Sequence, residues 1–215
     1  MKRRRGFTLL EVLLATALVG LLLAGLNLFI FSMGELWGKN SDRRLFDQHV
    51  NAVTRYLQRE LRAAALPPVG QTGEYAIGPQ EIRPGGGLAE ILLTFDLPEG
   101  SRLLEWPDQP LPEVVCSLQV RAGQGLFLLW HSRLETRFAD DPPREMRLTP
   151  WGTGLAYEYY DAAAKRWSVE TAFKRDSTTR AYLVPQRLRL KFAYRGLQRE
   201  TVVLLPTVTE GLPNF

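Results

Sequence analysis

The sequence predicts an α+β fold in which a long N-terminal helix packs on an antiparallel β-sheet. Two observations indicate the helix. Residues 7–33 contain one charged side chain, Glu11, and apolar residues recur every three or four positions between residues 46 and 64. A third observation indicates the sheet, because three later segments place strand-forming runs on either side of a turn.

The apolar segment is long enough to cross a membrane. Residues 12–31 are apolar apart from Thr16, Asn27 and glycines, and about 20 such residues span a bilayer as a helix. The basic residues 2–5 before it predict a cytoplasmic N-terminus, with the chain after about residue 33 on the other side. A secretory signal peptide would have a shorter apolar region followed by a small-residue cleavage site, whereas this apolar run is longer and no A-x-A follows it. A plain signal-anchor fits the hydropathy but does not explain Glu11.

Glu11 needs a partner if this segment lies in lipid. A charged side chain near the bilayer centre costs about 2.5–3.5 kcal/mol on insertion scales and usually marks a function. Glu11 lies near the start of the segment, so its cost is smaller.

The segment KRRRGFTLLE, residues 2–11, resembles the class III signal of type IV pilins and pseudopilins. That signal is a basic leader ending in Gly, followed by Phe and then Thr-Leu-hydrophobic-Glu. The resemblance implies that prepilin peptidase cleaves after Gly6 and N-methylates Phe7. It also implies that Glu11 meets the new amino terminus of a neighbouring subunit. The physical chemistry agrees, since a carboxylate and an ammonium need each other more in lipid than in water.

The helix continues beyond the membrane as a stem. After Asp42 the apolar positions define one helix face, which consists of Phe46, Val50, Val53, Leu57, Leu61 and Ala64. LPPVG at 66–70 ends the helix, so its last predicted residue is Ala65. We expect Gly34 and Gly38 to bend the helix near the membrane exit. The predicted parts are a cleaved leader at 1–6, a transmembrane and filament-core helix at 7–33, an amphipathic periplasmic stem helix at 34–66, and a β-rich periplasmic globular domain at 67–215.

The pattern after residue 66 predicts a loop followed by strands. Residues 67–88 are rich in Gly and Pro and predict a loop. The predicted strands and hairpins are a strand at 89–96, a hairpin of 113–122 with 125–134, a hairpin within 154–170, and a hairpin within 186–206 that turns near Gly196. In the last hairpin Leu188, Leu190, Phe192 and Tyr194 alternate with basic residues, which predicts one buried face.

A second resemblance lies in the last third of the chain. The hairpin GLAYEYYD…W, followed by VPQRLRL and a final TVVLLP strand, resembles the J-type minor pseudopilin of type II secretion. It implies a structural subunit of the pseudopilus tip complex, with I-type and K-type minor partners, the G-type major subunit and the inner-membrane assembly platform. Glu11 argues against the K-type subunit, which lacks that carboxylate. A minor type IV pilin for adhesion, motility or DNA uptake is the alternative.

Charge and residue types argue against several other functions. Apart from the basic residues 2–5, the chain has 23 basic and 23 acidic residues, so no nucleic-acid partner is expected. Cys116 is the only cysteine, which excludes an intramolecular disulfide and predicts a buried thiol. His49 and His131 lack metal-ligand spacing. Ser132 follows His131 on a strand, where neighbours point to opposite faces. We expect no enzyme and no cofactor.

Two clusters of residues leave alternatives open. Asp140, Asp141 and Glu145 carry the oxygen ligands that calcium prefers, although a solvated loop is favoured because no known calcium-loop spacing appears. Four tryptophans are expected in the core rather than in partner patches: Trp106, Trp130, Trp151 and Trp167. The resemblances imply a single-pass protein of the bacterial inner membrane with a periplasmic C-terminal domain.

Overall fold

The structure is a computed structural model that describes residues 8–64, 77–85, 87–105, 108–138 and 140–206, without the side chains of residues 35–40. It confirms the α+β prediction. The chain divides into two compact units, Met1–Gln48 and His49–Phe215. The boundary between them lies inside helix α1, which runs from Leu9 to Ala63.

Helix α1 follows the predicted apolar pattern. Within the second unit its buried apolar side chains are Val50, Val53, Leu57 and Leu61, and Ala64, directly after the helix, is buried as well. They are spaced as one helix face. The sixth predicted position, Phe46, lies in the first unit. The backbone is helical through Gly34 and Gly38. The helix ends two residues before the predicted Ala65, and the predicted stop at 66–70 lies outside the described residues.

The first five strands form one antiparallel sheet in chain order. The strands are β1 (Ile77–Ile82), β2 (Glu90–Leu97), β3 (Val114–Arg121), β4 (Gly125–Ser132) and β5 (Arg144–Thr149). The first six residues of β3 are all buried, as expected for a central strand covered on both faces. The predicted strand at 89–96 and the hairpin of 113–122 with 125–134 are confirmed as β2, β3 and β4.

Two strands of this sheet were not predicted. The loop prediction for 67–88 is wrong at β1, whose sequence IGPQEI contains Gly and Pro. Proline is tolerated there because β1 is an edge strand. The other edge strand, β5, has the sequence REMRLT and carries three charged side chains, so it lacks an apolar strand signal.

The last four strands form a second antiparallel sheet in the order β7-β6-β8-β9. They are β6 (Gly152–Asp161), β7 (Arg166–Glu170), β8 (Arg187–Tyr194) and β9 (Leu197–Leu204). Both predicted hairpins are confirmed. The turn between β8 and β9 has φ of 47° at Arg195 and 83° at Gly196, which is the two-residue hairpin turn that needs left-handed backbone at both central positions.

The second part of α1 is hydrogen-bonded to both sheets. His49 Nε2 lies 2.8 Å from Thr149 Oγ1 at the end of β5. Thr54 Oγ1 lies 2.9 Å from Thr201 Oγ1 on β9. The core of the second unit therefore lies between residues 49–63 of the helix and the two sheets. On the predicted apolar side of β8, Leu188, Leu190 and Phe192 are buried, whereas Tyr194 is only half-buried.

Candidate assembly site

The first unit presents an exposed apolar helix. Residues Leu9–Gly34 form a segment of 26 residues, none of it buried within the structure, that is long and apolar enough to cross a membrane. At 1.5 Å per residue it is about 39 Å long, more than the hydrocarbon core of about 30 Å. Among the described residues it is the one such helix. Its side chains therefore need lipid or other apolar surfaces around them.

The polar side chains inside this segment are hydrogen-bonded to the helix itself. Thr16 Oγ1 donates to the carbonyl oxygens of Val12 and Leu13, each at 3.0 Å. Asn27 Nδ2 donates to the Leu23 carbonyl oxygen at 3.0 Å. A polar group without such a partner is costly in hydrocarbon. The segment therefore tolerates these polar residues in apolar surroundings.

Glu11 and Thr8 form a capping box at the start of α1. The Thr8 backbone N–H donates to Glu11 Oε2 at 3.0 Å, and the Glu11 N–H donates to Thr8 Oγ1 at 3.3 Å. The Thr8 hydroxyl also donates to Glu11 Oε2 at 3.2 Å. These reciprocal bonds satisfy backbone donors that the first helical turn leaves free. The negative charge also lies at the positive end of the helix dipole.

Thr8 is a partner of Glu11 that was not predicted from the sequence. The expectation was that Glu11 finds its partner in a neighbouring subunit, yet its first partner lies in its own chain. The spacing Thr-x-x-Glu at residues 8–11 is a recognised capping signature and was sufficient to find it. Both bonds from Thr8 end on Oε2, and no described residue hydrogen-bonds Oε1. One carboxylate oxygen therefore keeps its capacity to accept. The predicted processing residues, Gly6 and Phe7, lie outside the described residues.

His131 and Ser132 do not form a nucleophile–base pair. Ser132 Oγ donates to the Pro112 carbonyl oxygen at 2.7 Å, while the His131 ring stacks on Phe138 with centroids 4.0 Å apart. Burial lowers the pKa of His131. The two side chains thus serve separate structural contacts, as adjacent positions on a strand predict.

Two of the three acidic residues after Phe138 pair with arginines. Glu145 receives two hydrogen bonds of 2.6 Å from Arg121, and Asp141 lies 3.7 Å from Arg137. Glu145 belongs to β5, so the predicted loop ends earlier than expected. Within the described ranges, no three His, Cys, Asp or Glu side chains are grouped so that they could hold a metal ion.

The remaining predicted core residues are placed as follows. Cys116 is fully buried on β3, as predicted, and burial raises the pKa of its thiol. Trp130 is buried, and Trp151 and Trp167 are half-buried. Trp106 lies outside the part of the chain that the structure describes.

Residues 1–27 match the prokaryotic N-terminal methylation motif. The motif indicates a type IV pilin-like or pseudopilin protein. Such pilin-like proteins are structural subunits rather than enzymes. The motif implies processing by prepilin peptidase and assembly with other pilin-like subunits, and the apolar helix fits a single-pass inner-membrane protein. No curated protein matches the chain.

Proposed function

We propose that the chain is a minor pseudopilin, a J-type structural subunit in the tip complex of a type II secretion pseudopilus. The observation that carries this proposal is the methylation motif at residues 1–27, which runs into a helix with exposed apolar side chains. An exposed apolar helix of this length suits two environments in turn: lipid before assembly and the packed helices of a filament afterwards.

Processing prepares the N-terminus for assembly. Prepilin peptidase cuts between Gly6 and Phe7 and methylates the Phe7 amine. Before assembly the chain crosses the bacterial inner membrane once, with its N-terminus cytoplasmic and the unit His49–Phe215 in the periplasm. Cleavage removes the leader, residues 1–6, together with its basic residues 2–5, and places a new positive amine directly before the Thr8 cap.

Glu11 links one subunit to the next. Its Oε2 atom stays with Thr8, while its Oε1 atom accepts a hydrogen bond from the Phe7 amine of a neighbouring subunit. In an apolar filament core this charge-assisted bond is much stronger than in water. An unpaired carboxylate there is costly, so the pairing favours one axial register over others.

The assignment to the J-type subunit rests on the two hairpins of the second sheet. The structure confirms the hairpin β6–β7 that contains GLAYEYYD and the hairpin β8–β9 that contains RLRL and TVVL. I-type and K-type subunits would be its direct partners, on a filament of G-type subunits built by the inner-membrane platform. A minor type IV pilin is the second candidate, favoured by the same methylation motif.

Intact mass measurement tests the processing step. The chain is purified from its native membrane with and without prepilin peptidase. We expect a mature chain that starts at methylated Phe7 only when the peptidase is present, and an uncleaved chain in both conditions for a Gly6→Val control. An intact leader in the presence of peptidase, or cleavage after residue 25, would refute the pilin-like processing.

Three substitutions separate the charge of Glu11 from its capping role. Glu11→Gln keeps a hydrogen-bond acceptor for Thr8 but removes the charge, Glu11→Ala removes both, and Thr8→Ser keeps the cap. We expect all three chains to insert in the membrane, and only Thr8→Ser to co-purify with other pilin-like subunits at the wild-type level. Wild-type recovery of Glu11→Gln would show that the charge is not needed.

Deletion of the gene separates the two candidate systems. For a pseudopilin we expect loss of protein secretion across the outer membrane with surface pili unchanged. For a minor pilin we expect loss of piliation or of its adhesion, motility or DNA uptake, with secretion unchanged.

A further inference from the structure

Strand β9 is the least protected of the four sheet edges. Natural edge strands resist the addition of another strand by being short, by carrying charges or by containing proline. The edge strand β1 contains Pro79, β5 has three charged residues among six, and β7 has only five residues. In contrast, β9 has eight residues without proline, and its last four, TVVL, are uncharged.

The hairpin geometry shows which backbone groups of β9 face outward. In a two-residue hairpin turn the closing pair, here Tyr194 and Leu197, is hydrogen-bonded, and bonding then alternates along the strands. The Ala193 N–H supports this alternation, because it donates to the Trp151 carbonyl oxygen at 2.9 Å and therefore points away from β9. The outward N–H and C=O groups therefore belong to Gln198, Glu200, Val202 and Leu204.

The side chains along this edge do not block it. Val202 is 40% exposed and Leu204 is 50% exposed. Arg199 points to the helix side of the sheet, where its Nη2 donates to Asn51 Oδ1 at 2.8 Å. Glu200 accepts from Arg189 Nη1 at 2.9 Å on its own sheet. The two charged residues of β9 are thus engaged within the chain. Two apolar side chains flank the outward backbone groups, to which no residue in the described part of the chain hydrogen-bonds.

We propose that β9 accepts an extended strand from another pilin-like subunit, which adds a fifth strand to the second sheet. The inference rests on the proposed function, because it names a contact in the same assembly. Four outward residues repeat their N–H and C=O groups about every 6.8 Å, which matches the repeat of another extended backbone. Val202 and Leu204 supply apolar contacts to alternate side chains of the added strand.

Site-specific crosslinking in the native host tests this contact. A benzophenone amino acid replaces Leu204 in the full chain, and processing at Phe7 is checked by mass before irradiation. We expect an adduct whose linked peptide lies in a β-strand of another pilin-like subunit. Val202→Pro removes one outward N–H and no bond to β8, and it should lower the adduct yield at least tenfold.

The matched control is Val169→Pro on the opposite edge. Val169 is 48% exposed and pairs with Glu158. The Glu158 carbonyl oxygen accepts from the Gln186 N–H, on the side of β6 that faces β8. The backbone of Val169 therefore also faces outward, and Val169→Pro should leave the Leu204 adduct within twofold of wild type. Val202→Lys, which keeps the backbone donor and adds a charge, should lower the yield at least threefold.

The outcomes separate the inference from the proposed function. A processed chain with no adduct at residue 204, or with an adduct that survives both Val202 substitutions within twofold, overturns the strand addition and leaves the pilin-like function intact. A chain that keeps its leader and yields no adduct overturns both. Loss of the adduct in Val169→Pro as well as in Val202→Pro would also refute the role of β9, because both edges would then act through general stability.

Discussion

Arg189 holds the buried carboxylate of Glu158 on the outer face of the second sheet. The Arg189 Nη2 and Nε atoms lie 2.6 and 2.7 Å from Glu158 Oε1. The Glu158 side chain is 2% exposed, whereas that of Arg189 is 34% exposed. Arg189 also reaches Glu200 at 2.9 Å. The arginine therefore neutralises one carboxylate that water cannot reach and one that it can.

Arg189→Met should destabilise the second unit strongly, because it leaves Glu158 buried without its cation. We expect the free energy of unfolding to fall by about 3 kcal/mol, at the low end for a broken buried pair because Arg189 itself is partly solvated. Lys191→Met is the control, since Lys191 pairs with Glu200 at 3.7 Å in an exposed position and should cost under about 1 kcal/mol. Denaturant unfolding in detergent micelles measures both. Equal losses would show that Glu158 does not depend on Arg189.

Gly125→Ala should be far more harmful than Gly123→Ala in the same turn. Gly125 has φ of +110°, and a Cβ atom there would lie 2.0 Å from the Thr149 carbonyl oxygen. Gly123 has φ of +71° with nothing within 4 Å, so alanine there costs only the left-handed backbone, about 1–2 kcal/mol. We expect a loss above about 4 kcal/mol at Gly125. Melting temperatures of the two variants that agree within a few degrees would contradict the close approach of β4 to β5.

Cys116 should resist thiol reagents in the folded chain. Burial raises the pKa of its thiol, and the thiolate is the reactive form. We expect no maleimide adduct on the native wild type by intact mass, and complete labelling in denaturant. Ser177→Cys places a second thiol at an exposed position and should give one adduct under native conditions. Rapid native labelling of Cys116 itself would mean that β3 is accessible to solvent.

Glu135→Gln should reduce stability at neutral pH but not in acid. Hydrogen bonds from Arg144 hold the pKa of the Glu135 carboxyl below its usual range. Because the folded pKa is below the unfolded one, the stabilisation is present above about pH 4.5 and is lost as the pH falls through the folded pKa. We expect a difference of about 1.5 kcal/mol from wild type at pH 7 that shrinks below pH 4. Unfolding curves between pH 7 and 3 measure it, and a difference independent of pH would exclude the ionic interaction.

The sequence predicted elements best where local pattern and burial agree. Leu188, Leu190 and Phe192 alternate with basic residues, and the structure buries all three. It predicted edge strands poorly, because β1 contains Pro79 and β5 is charged. Whether these segments form strands depends on pairing with a neighbouring strand, so their own residues carry only a weak strand signal. At the candidate site, Glu11 was found from its cost in lipid. Its bonds to Thr8 were not predicted, because the cost of a carboxylate in lipid calls for a partner without indicating that one lies three residues away in the same chain.

The order of strands in the first sheet has a consequence for biosynthesis. Its five strands lie within residues 77–149, with no strand of the second sheet between them, and they are side by side in chain order. Each strand pairs with the one made just before it, so the sheet needs no residue of the second sheet to complete its hydrogen-bond ladders. Such local pairing favours rapid folding. As the nascent chain lengthens, this half of the β-structure can close its backbone pairing before β6 has left the ribosome, which shortens the time that strands β2 to β4 are open to aggregation.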